Sequence, residues 1–474
     1  MKITSFLLWP CAAAGLLAGC AAGPNYRPPA MPAPAVFTAG ARPDFTTNEP
    51  VAAWWRGFGD AELTGLVDRA AASNLDLRVA TANLLQARAL RLGAGADFLP
   101  VVHGAASYTN VKYSEAQLFS APGVSRTQEL YDAGFDATWE LDIFGRVRRG
   151  YQASKASMEA AAAARRDVQI SLVSEVARNY FELRGAQNEL AVLRHNAGNQ
   201  RETLKITLAR LEAGRGTELD AARARAQLNN TLAEIPPLES SAARATHRLG
   251  VLTGQAPESL VEELSVPRPL PDLPPLVAIG NPAQLLRRRP DIRAAERNLA
   301  AATARIGVAV ADLFPRVTFN GAAGLDAESF RGLGGPASDA RSFGPAITWA
   351  ALDYGHVRAR IKAAGAEADA ELARYQNTVL TSLEETENAL VDFGRARARL
   401  EFLAESVKAS QTAANLAHAQ FDNGATDFLT VLDAERVSLE SQDQFAQTGT
   451  QTATALVAVY KSLAGGWGEP SHDR

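Results

Sequence analysis

The sequence is poor in aromatic, methionine, histidine and cysteine residues. Aromatic residues make up 7% of the 474 residues, and there are 3 Met, 6 His and 2 Cys. With alanine dominant, this composition favours long helices over several compact cores. The histidines lack metal-ligand spacing and a nearby nucleophile, so we expect no metal, no cofactor and no enzymatic activity. A net charge of −4 with both signs interspersed argues against a nucleic-acid partner.

Residues 1–19 have the features of a cleavable export signal. The run MKITSFLLWPCAAAGLLAGC has one lysine and an apolar stretch too short for a comfortable membrane span. It resembles a bacterial lipoprotein signal, which is cut before a cysteine that then carries acyl chains, here Cys20. The alternative is an ordinary signal peptide cut elsewhere. Cys11 would be lost with the signal, which leaves no possible internal disulfide. Residues 20–50 are rich in proline and predict an extended tether.

In the rest of the chain, segments of the first half match segments of the second half. The matching pairs, in the same order in both halves, are Asp76–Pro100 with Asp291–Pro315, Thr138–Arg148 with Thr348–Arg358, and Gly214 with Gly424. Chance similarity between alanine-rich helices would not preserve this order of motifs. The sequence therefore predicts two repeats, 51–270 and 271–468, followed by a short tail at 469–474.

Each repeat predicts a helix, two strands and a long helical hairpin. A proline that follows the first helix stops it. Strand patterns, with one apolar face and one acidic or small face, lie near 101–113 and 129–144 in the first repeat and near 316–326 and 341–353 in the second. Helical patterns with coiled-coil spacing then run over 147–211 and 357–421, roughly 65 residues or about 100 Å each. In each repeat a shorter helix returns, as far as Leu252 or Leu463.

The four predicted strands have the length needed to cross an outer membrane when tilted. Four strands cannot close a barrel, and an open sheet edge in lipid leaves backbone groups unpaired at several kcal/mol each. If these strands lie in the membrane, several chains must therefore share one barrel. The alternative is a small soluble sheet packed on the helices.

Several motifs together resemble the TolC-like outer membrane factor family, in its lipoprotein branch of the OprM and NodT types. These are GPNYRPP after Cys20, WWRGFGDAEL (Trp54–Leu63), ELDIFGRVR (Glu140–Arg148), RRRPDIRAAE (Arg287–Glu296) and TVLDAE (Thr430–Glu435). The resemblance implies a mainly helical, duplicated chain that forms a homotrimer. Its twelve-stranded β-barrel, with four transmembrane strands per chain, would continue into a periplasmic α-barrel of coiled-coil-like helices.

The resemblance also implies a function. Such proteins are lipid-anchored exit ducts in the outer membrane of Gram-negative bacteria. They connect through a periplasmic adaptor to an inner-membrane pump, commonly of the resistance-nodulation-division class, and export drugs, dyes, metals or other small molecules. The alternatives are the duct of a type I protein secretion system and a periplasmic coiled-coil scaffold lipoprotein without a pore.

The stretch FDNGATDFLTVLDAE, from Phe421 to Glu435, holds four acidic residues around a glycine. A calcium-binding EF-hand loop fails on spacing, because its terminal ligand positions would fall on Ala419 and Thr430. A catalytic acid pair lacks a second polar cluster. The remaining interpretation is the tip of a helical hairpin, where Gly424 reverses the chain.

On the returning helix Leu429 and Asp433 share one face, which a trimer would repeat around its axis. The resemblance places both on gate positions of the family, as an apolar ring and a carboxylate ring. Asp433 falls on the aspartate of the L-D-A motif, whereas Thr430 departs from a second acidic ring. A solvated surface charge is the alternative.

The hairpin of the first repeat supplies further candidates. The resemblance adds Asp220 to the gate, and we expect both hairpin tips to face the adaptor. The tip residues singled out are Gly214, Thr217, Gly424 and Thr426. Thr217 and Thr426 are expected to cap the returning helices. Asp427 is expected near the start of its helix, as a turn or cap residue whose charge suits the helix dipole.

Overall fold

A computed structural model of the protein describes residues 21–30, 34–114 and 125–464. In these ranges the helices are α1 (Ala61–Ser73), α2 (Leu75–Ala96), α3 (Arg146–Glu212), α4 (Glu218–Ala233), α5 (Ile235–Leu252), α6 (Pro282–Arg288), α7 (Pro290–Ala311), α8 (Tyr354–Asp422) and α9 (Phe428–Ser462). The strands are β1 (Phe45–Thr46), β2 (Val101–Lys112), β3 (Thr127–Leu141), β4 (Val277–Ala278), β5 (Arg316–Ala327) and β6 (Asp339–Thr348). The predicted signal at 1–19, Cys20 and the tail at 469–474 lie outside the described residues.

The described residues fall into two compact units, which we treat separately. Unit 1 comprises the described parts of Met1–Ala30, Asn83–Ala162 and Ala294–Tyr375. Unit 2 comprises those of Met31–Ala82, Ala163–Arg293 and Gln376–Arg474. Both α3 and α8 begin in unit 1 and continue into unit 2. None of the described helices is long and apolar enough to cross a bilayer.

Unit 1 contains an antiparallel sheet in the order β2, β3, β5, β6. Each repeat contributes one hairpin, and the hairpins meet through β3 and β5. Residues paired directly across neighbouring strands lie on the same face. The register aligns Trp139 with Phe319 and Phe319 with Pro345 on one face, and Asp132 with Asp326 on the other. The sheet therefore has one apolar face and one polar face.

Two strands end earlier than the sequence indicates. The predicted strand near 129–144 ends at Leu141, and the one near 341–353 ends at Thr348. Their shared partner explains both ends, because β5 begins at Arg316, where Arg316 pairs with Thr348 and Val317 with Leu141. Pro315 precedes β5 and has no N–H to extend the ladder.

An indole hydrogen bond recurs at the base of each hairpin. Trp139 Nε1 donates to the Phe98 carbonyl at 3.0 Å, and Trp349 Nε1 donates to the Leu313 carbonyl at 3.0 Å. In each repeat this bond ties the end of the second strand to the chain just before the first. The duplication seen in the sequence thus extends to side-chain contacts.

The long helices begin and end for local reasons. The Asp142 carboxylate accepts the backbone N–H groups of Val147 and Arg148, each at 2.9 Å, and so caps the first turn of α3. No proline interrupts α3 or α8. Beyond each helix a glycine adopts positive φ, +71° at Gly214 and +69° at Gly424, and the chain reverses.

The returning arm of the first repeat differs from the single helix expected. It consists of α4 and α5, divided at Glu234, whereas the second repeat returns as one helix, α9. Pro236 and Pro237 lie in the first turn of α5. A proline cannot donate the hydrogen bond that a continuing helix needs, so the helix must restart.

The main apolar core lies in unit 2. Trp54, Trp55 and Phe58 are buried there, and Trp54 stacks on Tyr460 with ring centroids 4.9 Å apart. The proline-rich segment contributes to it, since Phe37 is 3% and Phe45 is 8% exposed. Phe37 and Phe45 therefore anchor the described residues 34–50 to the core of unit 2.

Candidate functional site

The two helical hairpin tips lie in unit 2 and share one backbone pattern. The N–H of Arg215 reaches the Arg210 carbonyl, and the N–H of Ala425 reaches the Gln420 carbonyl, both at 2.8 Å. These bonds satisfy carbonyl groups that the helix end leaves free, with the glycine in the left-handed conformation that favours glycine. Gly214 and Gly424 thus occupy equivalent turns, as the repeat predicts.

The caps of the returning helices are Thr217 and Asp427. The Thr217 side chain accepts the N–H of Asp220 at 3.2 Å and caps α4 as predicted. At α9 the prediction of Thr426 is wrong, since Asp427 accepts the Thr430 N–H at 3.0 Å. Aligning the tips by their turns explains this result, because Asp427 lies at the position equivalent to Thr217.

Electrostatics support Asp427 as the cap. Hydrogen bonds from the Thr430 hydroxyl, at 2.8 Å, and from its backbone N–H hold the pKa of Asp427 below the usual aspartate value. The positive charge of Arg223 on α4 lowers this pKa further. A carboxylate also suits the positive end of the α9 dipole.

The two hairpins pack on one another near their tips. Their small apolar cluster contains Ala224 of α4, Ala417 of α8, and Phe428, Val431 and Leu432 of α9. The Arg210 guanidinium of α3 lies 4.1 Å from the centre of the Phe421 ring. A shift of either tip would therefore disturb the other.

Leu429 and Asp433 lie on the exposed face of α9, opposite this cluster. Leu429 is 49% exposed, and the Asp433 side chain is 62% exposed. Arg436 donates to Asp433 at 2.8 Å and to Glu440 at 2.7 Å, and these bonds raise the pKa of the Arg436 guanidinium. The sequence reasoning missed Arg436, although its spacing from Asp433 is typical of a helical ion pair.

Asp220 takes part in the local structure of its own tip. Its Oδ2 accepts the Thr217 hydroxyl at 2.6 Å, which reciprocates the cap of α4. Hydrogen bonds link Asp220 with Thr217 and Asp433 with Arg436. Neither of these two hydrogen bonds joins Asp220 to Asp433.

A contact among three helices lies behind the exposed face of α9. His418 Nε2 of α8 lies 2.7 Å from Glu435 Oε1 of α9, and the Thr203 hydroxyl of α3 lies 3.3 Å from the same oxygen. Glu435 Oε2 is buried without a hydrogen-bond partner among the described residues. This contact depends on the packing of three helices, so no local sequence pattern predicts it.

The interface between α3 and α9 also holds a buried acid, Glu189, which is 7% exposed. Burial, helped by the negative charge of Asp443, raises the pKa of Glu189 to about 7. Burial also raises the pKa of Asp443 itself. We therefore expect this interface to respond to pH near neutrality.

Comparison with known proteins identifies the family. The family model "Outer membrane efflux protein" matches residues 66–255 and again 281–465. Nodulation protein T of Rhizobium leguminosarum bv. trifolii is 32% identical over 455 residues, covering 95% of this chain and 96% of the relative. The solvent efflux pump outer membrane protein SrpC of Pseudomonas putida is 32% identical over 466 residues, covering 95% of this chain and 96% of the relative.

A solved structure gives the same result in three dimensions. The outer-membrane channel OprN is 45% identical, with a TM-score of 0.89, and the match covers 94% of this chain and 100% of OprN. The family model matches once within each predicted repeat. The chain is a largely helical member of the outer membrane efflux protein family, of the OprM and NodT type.

Proposed function

We propose that the protein is the lipid-anchored, trimeric exit duct of a tripartite efflux pump, passing small molecules such as drugs across the outer membrane. One observation carries the proposal, namely an apolar sheet face on which large side chains are exposed. On that face Phe135 is 68%, Phe343 is 84% and Ile347 is 70% exposed. A soluble sheet packed on helices would bury these side chains, so their exposure favours lipid as their environment.

The sheet edges support the trimer. Within the described residues β2 and β6 each pair on one side, and an unpaired edge is costly in lipid. Pairing of β2 of one copy with β6 of the next removes every edge. Three copies give a twelve-stranded barrel, which agrees with the family. The long helices would then continue the duct into the periplasm.

The hairpin tips support a gate and an adaptor surface. Leu429 and Asp433 would line the periplasmic mouth as two rings, with Asp220 from the neighbouring hairpin. The tips at Gly214, Thr217, Gly424 and Thr426 would meet the adaptor, which links the duct to an inner-membrane pump of the resistance-nodulation-division class. Because the tips pack on one another, adaptor binding would shift the gate by repacking the cluster around Phe428.

Conductance and export together test the proposal. The purified assembly in a planar bilayer should give discrete conductance steps, whereas a scaffold lipoprotein would give none. A deletion strain should accumulate small toxic molecules and become more sensitive to them. Unchanged sensitivity, combined with loss of a secreted protein, would instead assign the duct to type I secretion. Mass spectrometry of the mature protein should find acyl groups on Cys20.

A further inference from the structure

The segment that follows Cys20 lies in a groove of unit 1, where Arg149 holds it. Arg149 is 3% exposed. Its guanidinium donates to the Ala22 carbonyl at 3.0 Å, the Gly23 carbonyl at 3.2 Å and the Asn25 side chain at 2.9 Å. It also donates to Gln152 at 3.0 Å. Most of its described acceptors thus come from the amino-terminal segment, and a buried guanidinium needs them.

The fit between this segment and the groove is too close for added side chains. Gly23 has φ +80°, and a Cβ there would lie 2.5 Å from the Cα of Gly307. A Cβ on Gly307 would lie 2.8 Å from the Arg149 side chain, and one on Gly145 would lie 2.8 Å from the Cα of Ala21. These distances are shorter than van der Waals contact, so the groove accepts the segment in one position.

Tyr26 closes the far end of the segment. Its ring packs on the small cluster of Ala156, Ala300 and Ala301, and the Arg297 guanidinium lies 5.5 Å from the ring centre. Its hydroxyl bonds to Glu296. The segment Ala21–Tyr26 is therefore anchored at both ends and is not a slack tether.

The amino-terminal end of the segment lies next to the carboxyl end of β3. The N–H of Ala22 donates to the Phe144 carbonyl at 2.9 Å. Phe144 lies between the end of β3 at Leu141 and the start of α3 at Arg146. The amino-terminal end of the described segment therefore lies beside this strand-to-helix junction.

We propose that the groove holding Ala21–Tyr26 is a registration site for the lipid anchor. By clamping the chain directly after the acylated residue, it fixes the acyl chains at the foot of β3. The acyl chains and the sheet then enter the membrane at one level and stabilise each other. The inference rests on the proposed acylation of Cys20 and on the membrane location of the strands.

The variant Gly23→Ala tests the clamp by a change in the segment alone, with every residue of the groove kept. In phospholipid vesicles the wild-type full-length protein should resist chymotrypsin cleavage after Tyr26, and Gly23→Ala should be cleaved about tenfold faster, because cleavage follows the open population. Arg149→Gln should behave in the same way. The matched control is Gly150→Ala, since a Cβ at this neighbouring glycine meets open space. Equal cleavage rates for wild type and Gly23→Ala would overturn the clamp.

A double-mutant cycle tests the coupling to lipid. Cys20→Ser behind an ordinary cleavable signal removes the acyl chains, and circular dichroism reports the temperature at which the sheet melts in vesicles. Loss of acylation should lower this temperature in the wild-type background and have little further effect in Gly23→Ala. If the two changes lower the melting temperature additively, the groove does not couple the acyl chains to the sheet, and the proposal is rejected. If mass spectrometry finds no acyl groups on the wild-type protein, the proposed acylation fails and the registration site fails with it.

Discussion

Arg184 is a buried cation on which the core of unit 2 depends. Its side chain is 0% exposed, and it pairs with Glu62, whose side chain is 9% exposed. It also donates to Gln187 at 2.6 Å and to the Val266 carbonyl at 2.9 Å. A buried ion pair contributes little net stability, but without Arg184 the Glu62 carboxylate would depend on the more exposed Arg268, 3.5 Å away, for its charge partner.

Arg184→Met should therefore lower the free energy of unfolding by about 3–5 kcal/mol. The control is Arg178→Met in the same helix, which breaks an exposed pair with Glu182 and should cost about 0.5 kcal/mol or less. Thermal melting in detergent, followed by circular dichroism, measures both. Similar melting temperatures for the two variants would contradict the assigned role of Arg184.

Asp433 is the carboxylate on which the proposed gate depends. In the proposed trimer Asp433→Ala would remove three carboxylates from the proposed mouth, and Arg436 would stay paired with Glu440. Single-channel conductance should rise and cation preference should fall. The control is Asp68→Ala, an exposed aspartate on α1. Unchanged conductance together with unchanged cation preference would remove Asp433 from the gate.

At the scale of elements, two neighbouring residues, Thr426 and Asp427, can be compared as the cap of α9. Asp427→Ala should expose the first turn of α9 and speed amide hydrogen exchange there several-fold, because the Thr430 N–H loses its acceptor. Thr426→Ala should leave exchange in this turn unchanged. Faster exchange in Thr426→Ala than in Asp427→Ala would instead support Thr426 as the cap.

The interface of α3 and α9 should make stability depend on pH. The carboxyl of Glu189 has an ordinary pKa of 4.5 and a folded pKa of about 7. Since the unfolded state ionises first, stability falls as pH rises from 4.5 to 7, and Asp443 acts in the same direction. The melting temperature should therefore drop between about pH 5 and pH 8, and less so in Glu189→Gln. Glu182→Gln, an exposed change in the same helix, should keep the wild-type slope, and an equal slope in Glu189→Gln would refute the assignment.

Most of the family motifs also belong to the scale of elements, because their residues pack in the core, cap helices or form ion pairs. Trp54 and Trp55 fill the core, Asp60 caps α1, and Asp142 caps the first turn of α3. In the RRRPDI motif Arg289 bonds to Asp291 and to Glu385. The last motif, TVLDAE, contains one candidate gate residue, Asp433. The resemblance thus identified the fold through residues that hold it together.

For the whole molecule, closure of the sheet between copies is the decisive prediction. Val102 on β2 and Phe343 on β6 lie on the same face, because Val102 pairs with Ala137, Ala137 with Gly321 and Gly321 with Phe343. The double variant Val102→Cys, Phe343→Cys, treated with a flexible bismaleimide, should give covalent species of two and three chains. Each single variant is the control and should give none. A ladder beyond three chains would contradict the closed trimer.

Much of this protein could be predicted from its sequence, because the relevant signals are local. Helix length follows from apolar spacing without proline, and the reversals follow from Gly214 and Gly424. Alternation predicted the four strands, though their ends depended on a partner strand. Self-comparison gave the repeats that the family model matches separately, at 66–255 and 281–465.

The candidate site was predictable only in part. The positions of Leu429 and Asp433 on one exposed face follow from helical spacing, and so could that of Arg436. The prediction of Thr426 as a cap was wrong by one residue, because threonine and aspartate are both good caps and the turn geometry decides between them. The contact of His418 with Glu435 joins two helices and has no periodic signature.

The sequence by itself determined the elements and their order, since these depend on residues a few positions apart. Only the tertiary structure decided that β3 pairs with β5, that Arg184 meets Glu62, and that Arg149 holds the segment after Cys20. These partners lie far apart along the chain. Their contacts exist because packing brings buried charges and unpaired backbone groups together, and nothing local in the sequence specifies which group each one meets.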